Sequence, residues 1–295
     1  MSRETIGADG RPKHDLALWA VLLGVISWGW GPVIVRGISA PFMAFTPVRM
    51  AIAFPILLTI TYASGAKINK TVIRAAALPS LFYTLSLLCA FASFQKTSIA
   101  TSTLIVSLNP VALLVVAPIF LKERITLHKV AWCLVAIAGV SLVVFGKTSG
   151  GGNTVEGDLY AVGNLIFWTS YAVGTKRVRD AGVHPFAFLS VATAVSVIIL
   201  FPWALIVGAD FGKIGGNDWW LIVLQVVIAG VLGMGPIAWA NRYMDATVVA
   251  LLGLGSPVLS SVFAWWIYEQ SMNATQIAGA AVMLVAVGVV VSKKS

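Results

Sequence analysis

Arg49 falls well inside an apolar run, about eight residues from its start. Eight residues of helix rise roughly 12 Å, too deep for an arginine to reach water by snorkelling. At the centre of a hydrocarbon layer an arginine costs about 2.5–3.5 kcal/mol even on an insertion scale, so this side chain must face protein or water. Two roles stand open for it: holding a carboxylate or carbonyl of something bound, or tying helix ends through backbone carbonyls. Aromatic and amide side chains recur at helical spacing elsewhere. Asn164, Trp168 and Tyr171 stand at i, i+4 and i+7, and Trp19, Leu23, Ile26 and Trp30 form a second stripe with Trp28 off it. Tyr83 and Trp239 fall deep in two further runs. A wall of this kind binds small molecules by stacking and by donation from an indole N–H or phenol O–H. Trp30, Arg49, Tyr83, Asn164, Trp168, Tyr171 and Trp239 are therefore the candidate binding residues. Trp19, Tyr160, Trp219, Trp220, Trp265 and Trp266 lie near run ends and fit the aromatic belt of a membrane interface.

The acidic residues are placed in the opposite way. Glu4, Asp9 and Asp15 fall in the N-terminal tail, and Glu123, Glu156, Asp158, Asp180, Asp210, Asp218, Asp245 and Glu269 flank apolar runs. His14, His128 and His184 also sit at edges. Proton relays inside membranes use buried Asp, Glu or His, and none is expected at mid-depth here. A catalytic site would need paired carboxylates, a His-rich metal set or a Gly-rich phosphate loop. The sequence has none of these patterns, so no catalytic residue, metal site or cofactor is expected. Without a carboxylate beside it, the aromatic wall suits a neutral or zwitterionic solute better than a lone cation.

The elements that position these residues follow from composition. The chain has 295 residues, 59% of them hydrophobic and 11% charged, against about 25% charged in soluble chains. So few charges cannot cover a globule of this size, and the aromatic content excludes disorder. Each crossing of a bilayer takes about 20 apolar residues. Apolar runs separated by charged or Gly/Pro-rich breaks predict ten spans: about 16–36, 41–62, 75–95, 98–121, 127–146, 158–176, 185–208, 218–241, 246–268 and 275–292. With the N-terminus in the cytoplasm, fifteen basic residues fall in cytoplasmic segments and four (Arg36, Lys96, Lys147 and Lys213) outside. Both termini are thus expected inside. The net charge of +9 is explained by this asymmetry, and no nucleic-acid partner is expected. The first run is too long for a signal-peptide core and lacks a small-residue cleavage site. Cys89 and Cys133 both lie in apolar runs, which argues against a disulfide framework.

The chain also resembles itself at a shift of about 147 residues: Ala75 to Pro110 aligns without gaps on Ile222 to Pro257. Leu18-Trp19-Ala20-Val21 parallels Leu159-Tyr160-Ala161-Val162, and Pro41-Phe42 parallels Pro185-Phe186. Gly150-Gly151-Gly152 marks the join. The organisation expected is a tail (1–15), a five-helix repeat (16–146), a linker (147–157), a second five-helix repeat (158–292) and a short tail (293–295). An odd number of spans per repeat inverts the second copy, an architecture common in secondary transporters. Helix breaks recur at equivalent points, Ser107-Leu108-Asn109-Pro110 and Gly253-Leu254-Gly255-Ser256-Pro257. Matched breaks point to a central site and make Pro110 and Pro257 candidate hinges. Gly230, Gly233, Gly235 and Pro236 could flex likewise.

On these residues the chain resembles the drug/metabolite transporter superfamily, specifically its EamA-type ten-helix exporters. The resemblance rests on Pro110 and Pro257 in the fourth helix of each copy, the terminal Glu123 and Glu269, Arg49 after Pro41, and Ala138-Gly139-Val140 with Ala286-Val287-Gly288 in the fifth helices. It runs from about residue 16 to 292. In the second copy Thr193 stands near where an arginine would be expected. Among such exporters it is similar to the YddG-like group, which implies outward movement of aromatic and other neutral amino acids by alternating access. The expected fold class is accordingly an all-α polytopic membrane protein of ten helices, monomeric, in a bacterial inner membrane, with a small solute and the bilayer as its only partners. Other readings are a drug or other metabolite exporter of the same superfamily, an integral-membrane enzyme and a channel.

Overall fold

In this computed structural model the described residues are 13–109, 111–112, scattered positions between 131 and 142, 154–180, 182–240, 252–253, 255–270 and 272–292. All regular structure among them is helical. The N-terminal stretch forms α1 (Lys13–Gly37), α2 (Phe42–Ala63), α3 (Lys70–Lys96) and α4 (Ile99–Val106). The C-terminal stretch forms α5 (Val155–Asp180), α6 (Pro185–Ile206), α7 (Gly216–Gln225), α8 (Gly233–Ala240), α9 (Gly255–Tyr268) and α10 (Ala274–Ser292). A π-helical segment, Val226–Leu232, joins α7 to α8. The predicted fifth span lies for the most part outside the described residues, as do Glu123 and Pro110. Five helical stretches among the described residues are long and apolar enough to cross a membrane: Asp15–Gly37, Phe42–Ala63, Lys70–Lys96, Pro185–Ile206 and Gly216–Ile237.

Local chemistry sets where the helices begin and turn. The Asn69 side chain accepts from the Val72 N–H, and Ser98 accepts from Thr101, each satisfying a free donor of a first turn. Pro185 opens α6, where its missing N–H costs nothing. Gly65, at φ +75°, closes the tight turn after α2. The π-helical segment ends at Leu232, four residues before Pro236. A proline ring collides with the carbonyl four residues back, and a wider turn is one way to relieve that collision.

The packing is reciprocal. α1 lies on α7–α8 and on α9, while α5 lies on α3 and α4; α2 and α3 both pack against α6. Small residues allow these approaches, as in membrane bundles generally. A Cβ on Gly174 would stand 2.7 Å from the Pro79 ring, and one on Gly157 would stand 2.7 Å from the backbone of Lys96 and Thr97. Buried hydroxyls bond the preceding turn of their own helix, as Ser80 does to the Ala76 carbonyl and Thr84 to Ser80, so few polar groups are left stranded in the interior. Two pairs cross between helices, Thr61–Ser190 and Thr84–Ser196, each at 2.8 Å. Large apolar side chains such as Leu23, Ile26, Leu205, Ile206, Trp265 and Trp266 face outward, the arrangement expected where the solvent is hydrocarbon.

One end of the bundle is dense with polar contacts. Arg36 donates to the carbonyls of Phe94, Gln95 and Thr97. Gln95 donates to the carbonyls of Ile38 and Ala40 and accepts from the Phe42 N–H. Asp218, at the start of α7, accepts from the N–H groups of Ser39, Ala40 and Gly215. Thr97 donates to Asp158, Ile99 N–H to Gln270, and Tyr268 O–H to the Val33 carbonyl. The Arg36 end therefore ties the N-terminal and C-terminal stretches together.

Candidate solute-binding cavity

Between the helices lies a cavity of about 330 Å³, within the size range of small-molecule sites, roughly 300–1,000 Å³. Its aromatic walls come from Trp28, Phe91, Phe94 and Trp168, and its polar groups from Ser86, Asn109, Asn164, Gln225, Ser256 and Ser260. Asn164 and Gln225 each lie nine residues past the first residue of their helices, about 14 Å by helical rise from the Arg36 end. No carboxylate is among the described lining residues. Both segments where breaks were expected contribute, Ser107 and Asn109 on one side, Gly253, Ser256 and Pro257 on the other; the described residues of the second, 252–253 and 255–268, are helical. At the first break α4 ends at Val106, and the Ser107 and Leu108 N–H groups bond Leu104 and Ile105, three residues back.

Asn164 is buried and accepts from the Ser86 hydroxyl at 2.8 Å. Gln225, also buried, lines the same cavity, and its Oε1 accepts from Nε of Arg49. Arg49 does not line this cavity. It sits immediately behind the wall, with its guanidinium carbon 5.2 Å from the centre of the Phe91 ring. It opens instead on a smaller pocket of about 30 Å³ with Tyr83, Thr193 and Gly230. Arg49 is 6% exposed, and among the described residues no carboxylate lies within ion-pair distance of it. Gly230 has no side chain to crowd Nη2 there. Arg49 binds the side-chain oxygen of Gln225, not the backbone carbonyls expected of a structural arginine, and that bond ties α2 to α7.

The other candidates divide. Tyr171 packs in an aromatic cluster behind Trp168, with ring centres 5.0 Å from Trp168, 5.2 Å from Tyr83 and 5.9 Å from Phe188. Trp30 stacks on Phe263 at 4.4 Å and is not among the cavity residues. The stripe to which it belongs points out of the bundle, since Trp19, Leu23 and Ile26 are exposed, and it is Trp28, off that stripe, that reaches the cavity. Trp239 is on α8, but its side chain lies outside the described residues. Gln225, Trp28, Phe91 and Phe94 were not singled out by spacing. Gln225 did carry a signal: it is the one polar side chain between Trp219 and Ala240.

Residues 15–145 and 155–292 match the model of the EamA-like transporter family. The chain belongs to that family. It is a multi-pass membrane transporter. The relatives of this EamA-like transporter include the pseudopaline exporter CntI of Pseudomonas aeruginosa, 23% identical over 92% of this chain and 95% of that one. Solute carrier family 35 member G1 of Mus musculus is 28% identical over 64% of this chain and 56% of that one. The uncharacterized transporter YxxF of Bacillus subtilis is 24% identical over 58% and 55%. A solved crystal structure shares the fold at a TM-score of 0.62 and 19% identity, covering 94% of this chain and 98% of that one.

Proposed function

We propose that this EamA-like transporter exports small neutral or zwitterionic metabolites, amino acids above all, by alternating access between two inverted five-helix halves. The observation that carries the reading is the cavity walled by Trp28 and Trp168, lined by both segments where helix breaks were expected and with no carboxylate among its described lining residues. An indole pair offers a stacking surface for an apolar or aromatic side chain, and the Asn164 and Gln225 amides offer hydrogen bonds to the polar end of the same solute. The missing acid argues for facilitated or exchange transport over proton antiport.

Several features support the repeat. The family model matches two stretches in succession. α1 packs on α8 and α9 as α5 packs on α3 and α4. Arg49 and Thr193, equivalent under the Pro41/Pro185 alignment, line one pocket, and so do Tyr83 and Gly230, equivalent at the 147-residue shift. Pro110 and Pro257 are the hinges in this reading. The bias of basic residues puts both termini in the cytoplasm and the Arg36 end outside. An exporter among the relatives supports the outward direction and a bacterial inner membrane, with the chain acting as a monomer.

The test is counterflow of labelled phenylalanine in proteoliposomes, with the other common amino acids as competitors. Saturable flux accelerated by unlabelled amino acid on the far side is expected, and Trp168→Ala and Asn164→Ala should each weaken competition about tenfold. Flux that never saturates makes the chain a channel. Saturable flux of other metabolites, with no amino acid competing, leaves a transporter of different cargo.

A further inference from the structure

The strongest hydrogen-bonding groups of the cavity wall are donors, and Gln225 is the reason. Arginine nitrogen can only donate, so the Gln225 amide oxygen is committed to Arg49 Nε. The amide nitrogen is thereby turned the other way. It has no hydrogen-bond partner among the described residues, and it is not among the sealed, unpartnered polar atoms, a condition met only by His184 Nδ1 there. It therefore opens on the space that Gln225 lines, the cavity. Asn164 repeats the pattern: its oxygen accepts from Ser86, and its amide nitrogen has no partner among the described residues. The hydroxyls of Thr103, Ser107 and Ser260 donate to carbonyls of their own helices, which leaves them only lone pairs to offer. The strongest unused groups facing the cavity are then amide donors, with the Trp28 and Trp168 indoles beside them. Behind the wall stands a guanidinium with no carboxylate at ion-pair distance among the described residues.

From this we infer that Gln225 is the specificity-determining residue of the cavity, relaying the charge of Arg49 so that the site selects solutes bearing a carboxylate. The inference rests on this cavity being the solute site, and it names the anionic end as the part of the solute that is read. The geometry is economical. Arg49 polarises the amide it binds, making the far N–H groups better donors, while the guanidinium itself stays out of the cavity. A solute carboxylate meets two neutral amides oriented to donate. A solute that presents only an ammonium meets the same donors and a positive field, with neutral hydroxyl oxygens as its acceptors.

The test uses the purified full chain in lipid nanodiscs, with binding read by tryptophan fluorescence. The probes are 3-phenylpropionate and phenethylamine, which share a ring and chain but carry opposite charges. The native protein should bind the carboxylate at least about tenfold more tightly than the amine, since hydrogen bonds to charged groups are the stronger ones. Gln225→Glu places an acid on Arg49 at the wall and should reverse that order. Gln225→Met keeps the length, removes the amide and should weaken the carboxylate about tenfold while leaving the amine unchanged. Equal binding of the two probes, no binding of either, or an unchanged order in Gln225→Glu overturns the inference. Should neither variant fold, the native order alone decides. Counterflow of phenylalanine without a carboxylate preference would sink this inference and leave the exporter standing. A clear preference without any flux would do the reverse.

Discussion

Asp218→Asn tests how the Arg36 end is held together. The carboxylate is 3% exposed. Its Oδ1 lies 2.8 Å from the Ser39 N–H nitrogen, and its Oδ2 lies 3.2 Å from those of Ala40 and Gly215. All three partners are donors. An amide keeps one oxygen and turns an NH₂ toward donors on the other side, so either Ser39 loses its acceptor or Ala40 and Gly215 lose theirs. A hydrogen bond to a charged group contributes about 1.5–3 kcal/mol, and an orphaned buried donor costs about 1–3 kcal/mol. Loss of a negative charge in the first turn of α7 adds a further 0.3–1 kcal/mol or so. These contributions overlap, and about 2–3 kcal/mol is expected for local opening of the α1–α2 connection. At 1.4 kcal/mol per factor of ten, amide exchange at Ser39 and Ala40 should quicken roughly 30- to 150-fold. Hydrogen exchange read by mass spectrometry over residues 38–42 measures it, with Ala76–Thr84 in α3 as the internal control. A change under about threefold at 38–42, or an equal change in α3, would show that Asp218 does not hold this end and that the reasoning is wrong.

Gly157→Ala would put a methyl 2.7 Å from backbone atoms of Lys96 and Thr97, which cannot yield without moving α3 or α5. A loss of about 1–3 kcal/mol is expected, seen as a lower thermal midpoint in detergent, while Gly216→Ala, with open space around it, should leave the midpoint nearly unchanged. Gly233→Ala meets a side chain instead, the Trp28 indole at 2.4 Å. That ring has a cavity beside it to move into. The effect should therefore appear as about tenfold weaker solute competition, with the helical content of the purified protein retained by circular dichroism.

How much of this could be read in advance depends on the kind of signal. The described helices were legible because apolar runs act locally, but not all their ends: α3 begins at Lys70, where Asn69 caps it, five residues before the expected run. The break after α4 was legible because the sequence there marks the backbone directly, whereas at the second expected break the described residues, 252–253 and 255–268, are helical; both segments line one cavity. The facing of the first helix was not legible. In water the apolar stripe of a helix points inward, but lipid is as apolar as a protein core, so Trp19, Leu23, Ile26 and Trp30 were no guide to the interior. Their neighbour Trp28 lines the cavity because Gly233 leaves room for its ring. Polar residues are the better guide in such a span: Asn164 and Gln225 both reach the cavity, one found by its aromatic neighbours and one overlooked as a single amide. The π-helical segment after Gln225 shifts the register of every residue beyond it, which no fixed periodicity anticipates.

The buried acids explain why the cavity can do without one. Asp158 and Asp218 are 9% and 3% exposed, which for carboxylates in a membrane bundle would ordinarily mark a proton path. Both sit in the first turn of a helix, α5 and α7, where unpaired N–H groups and the helix dipole favour negative charge. Their hydrogen bonds run across the two stretches of chain, from Asp158 to Thr97 and from Asp218 to Ser39 and Ala40. These acids are thus engaged at the end of the bundle, about 9–11 Å by helical rise from the depth of Asn164 and Gln225. The inward-facing charge of this protein is then Arg49 alone among the described residues, and it reaches the cavity only through an amide. Coupling to a proton gradient would need a titrating group at that depth. Export that persists undiminished in proteoliposomes with the pH gradient collapsed is the outcome this arrangement requires, and flux that stops on collapse would contradict it.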